Sequence, residues 1–217
     1  MDESKEDSVA KLRKVLNNLL KDDDDVDDHD LNKWLIARNY DVSKAEAMFR
    51  ESMKFRKAKY VDTLFDTYQI AEVLQKYFPG GFVGFDKTGS PVVVELFGQY
   101  DMEGIMRSCR RSDLEKVKLF QCEFTVRLWR DQTKKLGKRV DNLTVIFDME
   151  GVGTKFLWKP GLDMYISLIK LLEDNYPEML KRLCVVNAPA IFPYLWNLVT
   201  PLVSPEMRQK IVVLKKR

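Results

Sequence analysis

Leu143-Thr144-Val145-Ile146-Phe147-Asp148 and Leu183-Cys184-Val185-Val186-Asn187 decide how this chain folds. Each is a compact apolar run rich in β-branched residues, and each reads as a strand. Between them Pro160 suits the first turn of a helix that carries Leu162, Tyr165, Ile169 and Leu172 on one face and runs to Asn175. A third strand, Ile211-Val212-Val213-Leu214, follows a very apolar helical stretch at residues 191–202 and a turn that Ser204-Pro205 caps. Strand, helix, strand, helix, strand at this spacing calls for a mostly parallel sheet with right-handed crossovers.

Outward from this block, Phe82-Val83-Gly84-Phe85 and Pro91-Val92-Val93-Val94-Glu95-Leu96-Phe97 flank the turn Asp86-Lys87-Thr88-Gly89 and read as a β-hairpin. Residues 112–136 form one long helix with Leu114, Val117, Cys122, Val126 and Trp129 among its apolar positions, and Gly137 ends it. Before Pro79-Gly80-Gly81 the period is helical. Val9, Leu12, Leu16, Leu19 and Leu20 mark a helix over 4–20. Asp30 caps a second, with Leu31, Trp34, Leu35 and Arg38. Ser43-Lys44-Ala45-Glu46 is a capping-box pattern opening a third, and 70–77 is a fourth. The fold class expected is α/β, an N-terminal helical lobe followed by a mixed, mostly parallel β-sheet lobe with flanking helices. The divisions expected are 1–29 (helix and acidic linker), 30–80 (helical lobe) and 81–217 (sheet lobe).

The 217 residues, 45% of them hydrophobic, suit one main domain with a small appendage. With 12 Phe, 8 Tyr and 4 Trp the chain is too aromatic to be disordered. It has no run of about 18 apolar residues, and Met1-Asp2-Glu3-Ser4-Lys5-Glu6-Asp7 lacks the apolar core of a signal peptide. Cys109, Cys122 and Cys184 are widely spaced, which suits free thiols in a cytoplasmic protein. The net charge of +3 conceals −6 over residues 1–30 and +9 beyond. That balance suits weak attraction to an anionic surface and lacks the clustering of a nucleic-acid binder.

Catalytic signatures are missing. The acidic run Asp22–Asp25 with Asp27, Asp28 and Asp30 lacks the Gly and Glu of an EF-hand loop. Lys87-Thr88 lacks the glycines of a phosphate loop, and Gly151-Val152-Gly153 lacks a third glycine. His29 is the only histidine, so histidine-based triads and zinc sites are not expected. Asp148 and Glu150 end a strand where α/β sites often lie, but Asp148 reads more simply as capping the turn. Residues 165–172 and 191–198 are apolar on more than one helical face, which fits a buried core or the wall of an apolar cavity.

Several strings together resemble the CRAL-TRIO lipid-binding family, and within it the tocopherol-associated protein (supernatant protein factor) branch. They are Trp34-Leu35-Ile36-Ala37-Arg38-Asn39-Tyr40-Asp41, Gly84-Phe85-Asp86-Lys87-Thr88-Gly89-Ser90-Pro91-Val92, Leu143 to Gly151, and Lys155-Phe156-Leu157-Trp158-Lys159-Pro160. The most specific is Asn175-Tyr176-Pro177-Glu178-Met179-Leu180-Lys181-Arg182-Leu183, followed by Val185-Val186-Asn187-Ala188-Pro189, Phe192-Pro193 and Lys210-Ile211. The resemblance implies a non-enzymatic carrier, with no cofactor beyond a bound lipid. It would hold one hydrophobic molecule (a phospholipid, tocopherol, squalene or similar) and move it between membranes. The alternative is a lipid-sensing adaptor whose ligand switches a protein partner. The resemblance further implies a monomer in transient contact with membranes, with no nucleic-acid partner.

For the site, the resemblance implies headgroup contacts from Arg38, Glu178 and Lys210, with Asn39 where phosphoinositide-binding members carry a second basic residue. The pocket lining expected is Val145, Phe147, Tyr165, Leu168, Ile169, Leu172 and Val185. A gate is expected over residues 194–204, with Leu195, Trp196, Leu198, Val199, Leu202 and Val203. Family members continue beyond Leu214 with a further helix and strand, so the sheet lobe is expected to be C-terminally truncated and its pocket short of a wall.

Overall fold

The structure, a computed structural model, describes residues 3–20 and 26–214. Asp22–Asp25 of the acidic run and the side chain of Leu202 lie outside the described residues. Two compact units divide the chain, one running up to Asp62 and including Leu172–Glu178, the other comprising Thr63–Leu171 and the residues from Met179 on.

In the first unit, α1 (Glu3–Leu20), α2 (Asp28–Ile36) and α3 (Val42–Lys59) meet through one apolar stripe each. Val9, Leu12 and Leu16 pack with Leu31 and Leu35 and with Ala45 and Phe49, at the three- and four-residue spacings of a helix face. The helix starts differ from the sequence reading. Asp27 caps α2: its carboxylate accepts from Asp30 N–H at 2.9 Å, and Asp30 accepts in return from Asp27 N–H. Asp30 is thus the third helical residue of a capping box. Asp41 caps α3, accepting from Lys44 N–H at 3.0 Å, and Ser43 falls inside the first turn. Asn39 and Tyr40 deliver the chain to that cap with φ of 51° and 60°, a left-handed turn that asparagine tolerates better than most residues.

The second unit opens with α4 (Leu64–Thr67) and α5 (Glu72–Tyr77). The hairpin follows as β1 (Gly80–Phe85) and β2 (Pro91–Leu96). A helix the sequence reading missed, α6 (Met102–Ser108), is capped by Asp101 and precedes the long α7 (Arg111–Leu136), which Gly137 ends in the left-handed conformation. Then come β3 (Leu143–Asp148), α8 (Lys159–Asn175, whose residues from Leu172 on are assigned to the first unit), β4 (Leu180–Val186), α9 (Phe192–Val199), α10 (Pro205–Gln209) and β5 (Ile211–Val213). The strand read at residues 183–187 therefore starts three residues earlier, because Leu180 already pairs with Leu143.

The five strands lie in chain order, β1 antiparallel to β2 and the others parallel. Parallel strands laid side by side in sequence with right-handed crossovers carry all their connections on one face. The contacts agree. Register aligns Glu95, Phe147 and Val185 across the sheet. Lys118 of α7 reaches Glu95, Tyr165 of α8 lies over Phe147, and Phe192 and Leu195 of α9 pack around Val185. On the opposite face the row Val94, Ile146, Cys184 and Val212 is half-buried or exposed. The unit's largest core, Leu74, Phe78, Tyr100, Ile105, Leu114, Val117, Met164 and Leu168, ties α5 and α6 to α7 and α8. No described helix is long and apolar enough to cross a membrane.

Candidate functional site

The helix-bearing face holds a cavity of about 180 Å³ near the C-terminal ends of β2 and β3, where ligands of open α/β sheets sit. Phe97, the first residue after β2, is its hub. Its ring lies 4.7 Å from Phe147, 5.0 Å from Tyr165, 5.2 Å from Phe156 and 5.4 Å from Tyr100. Gly98 makes this placement possible: a Cβ there would fall 1.7 Å from the carbonyl oxygen of Glu150, so only glycine lets the two segments approach. Met102, Trp158 and Leu162 complete the apolar wall, with Asp101, Glu103 and Lys155 beside them.

Beneath the rings lies an ion pair. Glu95 points from β2 onto this otherwise apolar face and pairs with Lys118 of α7, the two side chains 12% and 13% exposed. Tyr100 Oη donates to the other carboxylate oxygen of Glu95 at 3.1 Å. Burial, and then the charge of Glu95, push the phenols of both Tyr100 and Tyr165 up, so both are neutral hydroxyls at any physiological pH.

The helix α9, Phe-Pro-Tyr-Leu-Trp-Asn-Leu-Val, contributes no side chain to the cavity wall; it packs against the neighbouring cluster of Met149, Val152 and Val185, which Phe97, Phe147 and Phe156 also touch. None of its residues is buried. Leu195, Trp196 and Val199 are half-buried, Leu198 is 37% exposed, and Tyr194 is exposed. Phe192 and Trp196 stack along it at 6.2 Å. A 3₁₀ turn at Thr200–Leu202 follows, held by Arg208, which donates to the carbonyls of Thr200 at 2.6 Å and Val203 at 2.9 Å.

The structure redistributes the residues expected from sequence. Of the seven pocket candidates, Tyr165 alone lines the cavity. Leu168 and Val185 are buried against other side chains, Leu168 with Met164 and Val185 with Met149 and Val152, so they belong to the core. Phe147 reaches the site through its stack on Phe97, and Val145 and Ile169 are half-buried. Leu172 belongs to the first unit, as do Arg38 and Glu178, whereas Lys210 belongs to the second. Arg38 donates to the carbonyl of Ala37 at 2.8 Å, and Glu178 has a φ of 57°. Of the residues expected in a gate, Val203 is buried.

Asp148 accepts from Glu150 N–H and from Asn187 Nδ2, both at 2.9 Å, and so caps its turn. Lys181 ties Asp86, Thr88 and Ser90 of the hairpin turn together. Among the described residues no three His, Cys, Asp or Glu side chains gather to hold a metal ion. Phe97, Tyr100, Phe156 and Trp158 were not among the site residues expected from sequence, although Phe97 closes the hairpin strand and Phe156 and Trp158 lie in one of the family-like strings. The available signal was position, since Phe97 directly follows a strand that pairs in parallel.

The model of the CRAL/TRIO domain matches residues 75–217. The chain is similar to Protein real-time of Anopheles gambiae, 33% identical over 207 residues that cover 95% of this chain and 30% of that protein. It is also similar to the CRAL-TRIO domain-containing protein T23G5.2 of Caenorhabditis elegans, 36% identical over 186 residues, 86% of this chain and 26% of that protein. The chain thus spans less than a third of either relative. Among solved structures, that of Sfh5 superposes with a TM-score of 0.81 at 18% identity, covering 99% of this chain and 81% of that one, so the two share a fold.

Proposed function

The chain belongs to the CRAL/TRIO domain family of lipid-binding domains, and on that premise we propose that it carries one apolar molecule on the helix-bearing face of its sheet, with α9 as the gate. The observation that supports this reading is the state of α9: an almost wholly apolar helix, lying against the aromatic site, with no buried side chain. A helix apolar on most sides is stable in a core, beside an apolar ligand or at a membrane.

The magnitudes agree. A diacyl lipid with about 30 methylenes resists transfer to water by roughly 25 kcal/mol, at about 0.8 kcal/mol each. A carrier must therefore enclose most of it. A cavity of about 180 Å³ is small beside a diacyl lipid, so on this reading the site widens when it binds. On this reading α9, which has no buried side chain, is the element that moves. Phe192, Leu195, Trp196 and Val199 are each half-buried, and half-burial contributes about 1 kcal/mol per side chain. Lifting the helix costs about 4 kcal/mol, which a membrane returns by receiving the same surfaces.

Native mass spectrometry of the purified protein, with extraction of any bound lipid, tests the binding. Transfer of labelled lipid between vesicles tests the carrying. Protein that retains no lipid and takes none up from vesicles refutes the reading.

A further inference from the structure

The opposite end of the sheet presents a second apolar surface. In a regular strand, residues three apart point to opposite faces. Phe82 and Phe85 do not, because β1 is bulged between Phe82 and Gly84. The bulge shifts the phase by one residue and turns both rings to one side. Gly84 accommodates the bulge with a φ of 147°. The two rings meet edge to face at 5.1 Å, and Phe82 reaches Phe124 of α7 at 6.1 Å. The three rings form a cluster, yet they stay 38%, 42% and 39% exposed for Phe82, Phe85 and Phe124, with Val83 exposed beside them.

The charge around this cluster is one-sided. Between Phe124 and Val140 the chain carries Arg127, Arg130, Lys134, Lys135, Lys138 and Arg139 against Asp131, with Glu123 and Asp141 flanking the stretch; Arg127 lies over the Phe65 ring and Arg139 pairs with Asp141, which leaves the basic rim chiefly to the lysines. Lys134, Lys135 and Lys138 are exposed, as is Lys87 in the hairpin turn. The end of α7 abuts that turn, since Leu136 Cδ1 lies 2.3 Å from where a Cβ of Gly89 would stand.

We propose that the β1–β2 hairpin edge and the C-terminal half of α7 form a membrane-contact surface that takes the anionic face of a lipid bilayer. Aromatic rings rimmed by basic side chains are what an interfacial surface needs: rings at the headgroup boundary and cations toward the lipid phosphates. Lysine favours this occupant over a protein, because protein interfaces are depleted in lysine, whereas lysine stems lie along an apolar surface and hold their charge in the headgroup layer. The surface is separate from α9, and it stands whether or not the cavity takes a lipid.

Flotation of the full chain with vesicles tests it, comparing phosphatidylcholine alone with phosphatidylcholine carrying 30% phosphatidylserine. Each cation near an anionic surface multiplies partitioning about five-fold. Lys134→Gln/Lys135→Gln should therefore bind phosphatidylserine vesicles about 25-fold more weakly, with little change on phosphatidylcholine alone. Phe82→Ser/Phe124→Ser should weaken binding to both. Lys134 and Lys135 are exposed, so the lysine variant should keep the wild-type melting temperature; the phenylalanine variant gives up packing among the three rings and is assayed well below its own melting temperature, and for both the lipid found by native mass spectrometry should be that of the wild type. Wild-type flotation by both variants overturns the proposal while leaving the carrier reading intact. Unchanged flotation combined with stoichiometric binding of an acidic protein to the wild type but not to Lys134→Gln/Lys135→Gln also overturns it, and assigns the surface to that partner instead.

Discussion

Replacing Leu198 by aspartate separates a gate from a core helix. Leu198 is 37% exposed on α9, so it contributes little to folding. Its loss should cost at most about 1 kcal/mol, a drop of about 2–4 °C in a chain of this size. Leu168→Ala is the control. Leu168 is 2% exposed and packs with Met164 in the main core, where the same class of deletion costs about 2–5 kcal/mol. At a membrane the order reverses. A leucine that embeds on opening gains about 2 kcal/mol, which an aspartate forfeits, so Leu198→Asp should slow transfer of labelled lipid between vesicles about 30-fold. Leu168→Ala, assayed well below its melting temperature, should transfer near the wild-type rate. If Leu198→Asp melts as low as Leu168→Ala, α9 is a core element. If it melts normally and transfers at the wild-type rate, α9 takes no part in exchange.

Other positions give independent checks. Lys118→Met leaves Glu95 without its cation inside the helix-bearing face and should cost about 3–5 kcal/mol in urea unfolding, most of it restored in Glu95→Gln/Lys118→Met; a cost below about 1 kcal/mol would show that water reaches the pair. Burial alone raises the carboxyl of Asp86, but Lys181 and the donors of Thr88 and Ser90 outweigh it and hold the group well below the usual carboxylate range. A folded value below the unfolded one contributes stability at neutral pH that is lost as pH falls below about 5, so Asp86→Asn should be less stable at pH 7 and lose less between pH 5 and 2 than the wild type; parallel losses would sink the idea. Burial pushes the Cys122 thiol up to about 12, so at pH 8 a thiol reagent should leave Cys122 untouched in native protein and label it once urea is added.

The order of elements was legible because each signal is local. The β-branched runs at residues 143–147 and 211–213 state their own conformation, Gly137 and Ser204 end and start helices through bonds to their own neighbours, and the hairpin turn is closed by Asp86 within four residues. Even the errors were local: Asp27 outcompeted Asp30, and Asp41 outcompeted Ser43, each by a shift of two or three residues between side chains that can all cap a helix. The long-range assignments fared differently. Leu168 and Val185 were expected to line a pocket because they are apolar and on the right elements, but apolarity does not distinguish a side chain facing a cavity from one facing another side chain.

By itself the sequence determined the α/β class, the mostly parallel character of the sheet and the family resemblance, because periodicity, caps and ordered strings are properties of neighbours along the chain; the order of the strands came from the structure. Only the tertiary structure shows which side chains surround the candidate site. The crossovers place α7, α8 and α9 on one face, and register brings Glu95 and Phe147 into one row. Packing then makes Phe97 the hub of four rings. A one-residue bulge turns Phe82 and Phe85 the same way. Each of these depends on residues distant in sequence meeting at a distance of a few ångströms, and that is set by packing rather than by any residue's own preference.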